Sequence, residues 1–138
     1  MSSLKVDNIT GRGSTGFTGS VKSEGGNTTT DLQQGLCKAW INFTGITTTA
    51  ERDSFNISGL TDDGTGKTDI TITSNMGNAN YAGSSYNNAH AGSDKTNFGN
   101  DYGGGFGGRA TDSFGVTSYG SAYIDSYNND VLIFGDLA

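Results

Sequence analysis

Hydrophobic and polar residues alternate with a period of two between residues 36 and 81. In the first segment Cys37, Ala39, Ile41 and Phe43 share one parity, and Trp40 takes the other. A period of two is typical of half-buried β-strands, so the block predicts a meander of strands. Eight positions are expected to be buried on one side of the sheet: Ile41, Phe43, Phe55, Ile57, Ile70, Ile72, Val131 and Ile133.

Turn residues divide the alternating segments. Asp62, Asp63, Gly64 and Gly66 separate two strand-like segments and favour a tight hairpin. Residues 113–127 and 131–136 predict two closing strands, which a turn at residues 128–130 would join. The sequence therefore predicts an all-β fold with a small antiparallel β-sandwich-like head.

Residues 1–30 differ from the rest in composition and predict an extended N-terminal arm or shaft. The arm is low in complexity, and its candidate contacts with attachment partners or other subunits are Leu4, Val6, Ile9 and Phe17. Such a segment has too few apolar residues to form a core of its own. Residues 31–138 are then the head, and a disordered tail is the alternative for the arm.

Composition predicts a head that is weakly stable alone. Gly, Ser, Thr and Asn make up half of the chain, while Leu, Ile, Val and Phe together make up roughly 18%, a low content for a globular protein. Burial of apolar surface between subunits would supply the missing stability, so we expect a homotrimer. A loop-rich monomeric β domain is the alternative.

Charge and motifs argue against several functions. The net charge is −6, and the eight Lys and Arg residues are scattered, which disfavours nucleic-acid binding. No apolar run reaches membrane-spanning length, so no membrane insertion is expected. The glycines at 11, 13 and 16 match a dinucleotide-binding motif, but no helix is expected after them. His90 is the lone histidine, so no second histidine can join it in a catalytic or metal site. The acidic residues of the hairpin do not match the spacing of a calcium-binding loop. We therefore predict no cofactor, no metal and no catalytic residue.

Residues 83–112 predict a long Gly/Asn-rich loop with aromatic side chains spaced along it. Long irregular segments in small domains are often functional, and adaptable binding loops favour Tyr, Ser, Gly and Asn. The candidate ligand-binding residues are Tyr86, Asn87, Asn88, Phe98, Tyr102 and Phe106. The alternative is a spacer without ligand contacts.

Several of these segments also occur, in this order, in a known family. KAWINF (38–43), RDSFNIS (52–58), the acidic glycine hairpin (62–66), NANY (78–81) and VLIFGD (131–136) resemble the C-terminal domain of bacteriophage tail fibres and related virion appendages. SSLKVDNIT (2–10) is similar to the N-terminal segment of many marine phage fibre proteins. These matched segments cover about half of the chain.

The resemblance implies a non-enzymatic structural protein of the phage particle that adheres to the host surface. Its expected partners are two further copies of the chain, other tail or capsid proteins bound through the arm, and a host-cell glycan or outer-membrane component. One alternative is a capsid decoration or head-fibre protein with no receptor. A second alternative is a small polysaccharide-degrading tail enzyme.

Overall fold

The computed structural model describes residues 20–22, 29–31, 35–88, 95–98, 108–120 and 122–138. The chain divides into two compact units, Met1–Leu36 and Cys37–Ala138. The described part of the first unit contains β1 (Ser20–Lys22) and β2 (Thr29–Asp31), an antiparallel pair with Val21 opposite Thr30. The candidate arm contacts Leu4, Val6, Ile9 and Phe17 lie outside the described residues.

The second unit is all-β, as the alternation predicts, with two four-stranded antiparallel sheets in its described part. The first sheet has the order β4-β3-β10-β7, and the second sheet has the order β5-β6-β9-β8. The strands are β3 (Cys37–Thr44), β4 (Ala50–Phe55), β5 (Ile57–Asp62), β6 (Lys67–Ile72), β7 (Ala82–Asn88), β8 (Lys95–Phe98), β9 (Ser113–Tyr119) and β10 (Asn128–Phe134). The described part of the second unit contains no helix.

The core takes side chains from one face of each sheet. The first sheet contributes Ala39, Ile41, Phe43, Val131 and Ile133, all at most 1% exposed. The second sheet and the connecting segments contribute Ile70, Ile72, Met76, Tyr81, Phe114 and Val116. Burial of these two facing surfaces gives a sandwich-like packing, in agreement with the predicted fold class.

Phe55 contradicts the predicted core, because its side chain is 55% exposed. The residues around it alternate as one strand, but Asn56 breaks that strand with a φ of +60°. Asn tolerates this left-handed conformation better than most residues. Phe55 therefore ends β4 in the first sheet, while the half-buried Ile57 begins β5 in the second sheet.

Hydrogen bonds from both the backbone and the side chain of Asn56 fix this corner. Its Nδ2 donates to the Lys38 carbonyl at 2.9 Å, and its Oδ1 accepts from the Ser74 N–H at 2.8 Å. Its own carbonyl accepts from the Thr73 N–H at 3.0 Å. The corner thus holds the chain where it passes from one sheet to the other.

The hairpin between β5 and β6 is confirmed. Gly64 and Gly66 both have positive φ, at 107° and 66°, which favours glycine. Asp62 accepts a hydrogen bond from the Gly64 N–H through its Oδ1 at 2.9 Å. A Cβ at Gly66 would also approach the Ser118 carbonyl to 2.6 Å, so this position excludes a side chain sterically.

Two predictions about connections are wrong. The predicted loop 83–112 contains β7 and β8, which are strands of the first and second sheets. The predicted turn at residues 128–130 is the start of β10, and β9 and β10 lie in different sheets. Polar composition misled both predictions, because Asn and Ser are compatible with a strand when neighbouring strands satisfy their backbone groups.

Both edge strands that meet at the Asn56 corner are irregular. In β4 the register against β3 shifts at Arg52, because Asp53 pairs with Asn42 and Glu51 pairs with Phe43. In β5 the register against β6 shifts at Ser58. Bulges and charges on edge strands hinder pairing with the edge of another molecule.

Candidate functional site

The outer face of the first sheet exposes a row of large apolar side chains. Phe55 on β4 lies opposite Trp40 on β3, and Trp40 lies opposite Leu132 on β10. Phe55 is 55% exposed and Leu132 is 41% exposed, while Trp40 is half-buried. We call these three residues the apolar row; Ser84 of β7 lies opposite Leu132 and completes it at the sheet edge.

A second row of side chains runs parallel to the apolar row on the same face. Asp53, Asn42, Asp130 and Tyr86 lie successively opposite one another on β4, β3, β10 and β7. We call these four residues the polar row. The two rows are two residues apart along a strand, roughly 7 Å; the polar row spans about 14 Å across four strands and the apolar row about 10 Å across three.

Hydrogen bonds between side chains hold the centre of the polar row in place. Asn42 donates through Nδ2 to Asp130 Oδ1 and to Asn128 Oδ1, the latter at 2.9 Å. Asn128 in turn donates through Nδ2 to Asp130 Oδ2 at 2.9 Å. Because each carboxylate oxygen can accept a second hydrogen bond, Asp130 keeps acceptor capacity for a ligand while its orientation is fixed.

Arg52, the bulged residue of β4, joins this network from the edge. Its guanidinium donates to Asn128 Oδ1 and, at 2.6 Å, to the Tyr127 carbonyl. It also lies over the Tyr127 ring, 5.1 Å from the ring centroid, in cation–π geometry. The Arg52 side chain thus reaches from the edge strand β4 across β3 to the start of β10.

Together the two rows combine the two kinds of contact that a polar ring-shaped ligand needs. Aromatic and aliphatic surfaces pack against the apolar face of such a ring, and fixed carboxylate and amide groups hydrogen-bond its edge. Side chains on strands, oriented by their neighbours, lose little freedom on binding. The outer face of the first sheet is therefore the candidate site.

Only one of the six predicted ligand residues joins this site among those whose side chains are described. Tyr86 is 65% exposed and belongs to the polar row. Asn87 follows it on β7 and has the opposite orientation, opposite the buried Asn129. The backbone of Asn88 pairs with Asn128, and Phe98 ends β8. Tyr102 and Phe106 lie outside the described residues.

Asn87 is instead half-buried, with its side-chain amide directed to the interior. Its Nδ2 donates to the Ser126 Oγ at 2.8 Å. Its Oδ1 is buried and has no hydrogen-bond partner. Ser126 and Asn129 are each 1% exposed, so this end of the sandwich has a polar interior. The Asn87 amide therefore contacts Ser126 rather than the outer face, and its role in ligand binding stays a prediction.

Sequence reasoning missed Trp40, Phe55, Leu132, Asn42, Asp53 and Asp130 as site residues. The parity of β3 was a usable signal, since it separates Trp40 from the buried Ile41 and Phe43. The signal for Phe55 and Leu132 is weaker, because strand pairing over long distances decides that they join Trp40.

Metal binding finds no support within the described ranges. They contain no group of three or more His, Cys, Asp or Glu residues close enough to hold an ion. The pKa of Asp69, at the β5–β6 hairpin, is raised mainly by burial of its carboxyl group. The charge of Asp63 and a hydrogen bond with Asp63 raise this pKa further. The described residues also contain no helix long and apolar enough to cross a membrane.

Comparisons with known proteins identify no relative of this chain. No protein-family model, curated protein or solved structure matches it.

Proposed function

We propose that this chain is a non-enzymatic structural and recognition protein of a phage particle, of the tail-fibre type. Its β-sandwich head adheres to a host-surface glycan or outer-membrane component through the outer face of the first sheet. The observation that supports this proposal is the exposed apolar row beside a polar row fixed by hydrogen bonds.

Exposed apolar side chains gathered on one sheet face favour a binding role over a purely structural one. Isolated exposed hydrophobic residues are normal on a protein surface, whereas contiguous groups mark interaction sites. Phe55, Trp40 and Leu132 occupy three neighbouring strands in one register, so they are contiguous. The proposed site therefore lies on this face rather than on the loop 83–112, and Tyr86 is common to both.

The proposed assembly is a homotrimer within the virion, attached to other virion proteins through the N-terminal segment. Low aliphatic content supports it, because closed symmetric assembly buries apolar surface that a single copy leaves exposed. The bulges in β4 and β5 favour subunit contacts other than edge-to-edge strand pairing. Light scattering of the purified protein tests the trimer, and a folded species of monomer mass would contradict it.

A matched pair of leucine variants tests the recognition function. Leu132 belongs to the apolar row, whereas Leu137 follows β10 and is exposed to a similar extent, 45% against 41%. We expect Leu132→Ala to reduce adsorption of the purified protein to host cells by about tenfold, as loss of a contact residue does. Leu137→Ala should leave adsorption unchanged.

Melting temperatures of both variants serve as the control for folding. The proposed site would be contradicted if Leu132→Ala melted and adsorbed like the wild-type protein and Phe55→Ala also adsorbed normally. Absence of any adsorption by the wild-type protein would favour a capsid decoration role instead.

A further inference from the structure

The charges of the polar row restrict the chemistry of the ligand. The row contains the carboxylates of Asp53 and Asp130 at its edge and centre, beside the neutral Asn42 and Tyr86. Arg52 lies beside the row, where its guanidinium donates to the Asn128 Oδ1 and to the Tyr127 carbonyl; both acceptors are neutral and leave its positive charge in place. Lys38 is on the far side of Trp40 along β3, roughly 14 Å from Asn42. The row together with Arg52 therefore has two carboxylates against one guanidinium, which leaves an excess of negative charge on this part of the face.

We infer that the ligand of this face is a neutral glycan that lies across the strands, and that Asp53 and Asp130 exclude acidic sugars. This inference rests on the proposed adhesive function and deepens it. Hydroxyl groups donate to carboxylates in strong, charge-assisted hydrogen bonds. A uronic or sialic acid would instead bring a like charge to the same row, and like charges at a binding surface oppose association.

The orientation follows from the direction of the two rows. Both run perpendicular to the strands, the apolar row from β4 through β3 to β10 and the polar row on to β7. A sugar ring placed between them contacts the apolar row with its C–H face and the polar row with its hydroxyl edge. Successive rings can then contact both rows over about 10 Å, the width of three strands.

Asp53 is the residue that best tests the exclusion of acidic sugars. It is exposed, and its Oδ1 accepts a hydrogen bond from the Ser54 N–H at 2.9 Å. The amide oxygen of an asparagine side chain accepts the same bond, so Asp53→Asn removes the charge and keeps the local fold. Asp63→Asn, in the hairpin of the second sheet, removes one carboxylate away from the face and serves as the charge-matched control.

The experiment uses surface polysaccharide from the host cells, separated by anion exchange into a neutral and an acidic fraction. Each fraction is added as a competitor of adsorption by the full-length protein at low and high salt. We expect the neutral fraction to compete with the wild-type protein and the acidic fraction not to compete. Asp53→Asn should improve competition by the acidic fraction by about tenfold at low salt, whereas Asp63→Asn should behave as wild type.

The possible outcomes distinguish failure of the neutral-glycan inference from failure of the proposed adhesive function. Competition by the acidic fraction alone, or by neither fraction, would overturn the neutral-glycan assignment while adsorption itself still supports an adhesin. Equal effects of Asp53→Asn and Asp63→Asn would overturn the exclusion mechanism. Absence of adsorption to cells would overturn the inference and the proposed function together.

Discussion

The two faces of the first sheet carry similar apolar side chains but differ in how far these side chains are buried. Ile41 and Val131 lie opposite each other on the inner face and are each 1% exposed. Trp40 and Leu132, one residue away on the same strands, lie opposite each other on the outer face, where Leu132 is 41% exposed. Alternation therefore separates the faces, but the second sheet decides which face becomes core.

Substitution of one phenylalanine on each face gives the largest expected contrast. Phe43→Ala should lower the free energy of unfolding by about 3–5 kcal/mol, because it leaves a cavity among fully buried side chains. Phe55→Ala should change it by about 0.5 kcal/mol or less, as is usual at exposed positions. Urea denaturation of both variants measures the difference. A large loss for Phe55→Ala would show that a partner or another segment covers the outer face.

Asn56 links the two sheets, and its replacement tests the corner. Asn56→Ala removes the side-chain bonds to Lys38 and Ser74 and places alanine at a φ of +60°. We expect a loss of about 2–3 kcal/mol in unfolding free energy, from unfavourable backbone geometry and unpaired polar groups. Asn56→Gly keeps the geometry and loses only the bonds, so thermal unfolding should rank it between wild type and Asn56→Ala. Equal stability of all three proteins would contradict the role of the corner.

Substitution of two tyrosines, one buried and one exposed, should give the smallest difference in unfolding free energy. The Tyr81 hydroxyl lies 3.0 Å from each of the Ala110 and Ser113 carbonyls, which share its single donated proton, whereas Tyr86 belongs to the exposed polar row. Tyr81→Phe should cost about 1–2 kcal/mol at neutral pH, because it removes the hydroxyl donor that the two part-buried carbonyls share. Tyr86→Phe should have almost no effect on stability.

The pH dependence of Tyr81 sharpens this contrast. Burial raises the pKa of Tyr81 to about 12, with Arg109 lowering it and Asp112 raising it. Between pH 10 and that value the unfolded phenol releases its proton while the folded phenol retains it, so stability falls as pH rises. The stability difference between wild type and Tyr81→Phe should therefore shrink in this range. Unfolding curves measured at several pH values check it.

The sequence predicted the inner face better than the site. Strict alternation on β3 and the glycines of the β5–β6 hairpin sufficed for the all-β class and for most of the core. The prediction that Phe55 is buried failed because the left-handed Asn56 transfers the chain between sheets, and no Gly or Pro marks this break in the sequence. The sequence did not predict the polar row, because its members are brought together by pairing between residues far apart in the chain. Local patterns do not encode such pairing.

The position of β10 between β3 and β7 has a consequence for synthesis of the protein. Within the described part of the second unit, the last strand pairs with the first, and Trp40 and Leu132 are roughly 90 residues apart. Nearly all of this unit must therefore leave the ribosome before the first sheet can close. Until then β3 and β7 lack their shared neighbour, and their backbone groups are open to other nascent chains. We expect refolding to be slow for the size of the domain, and deletion of β10 to prevent it altogether.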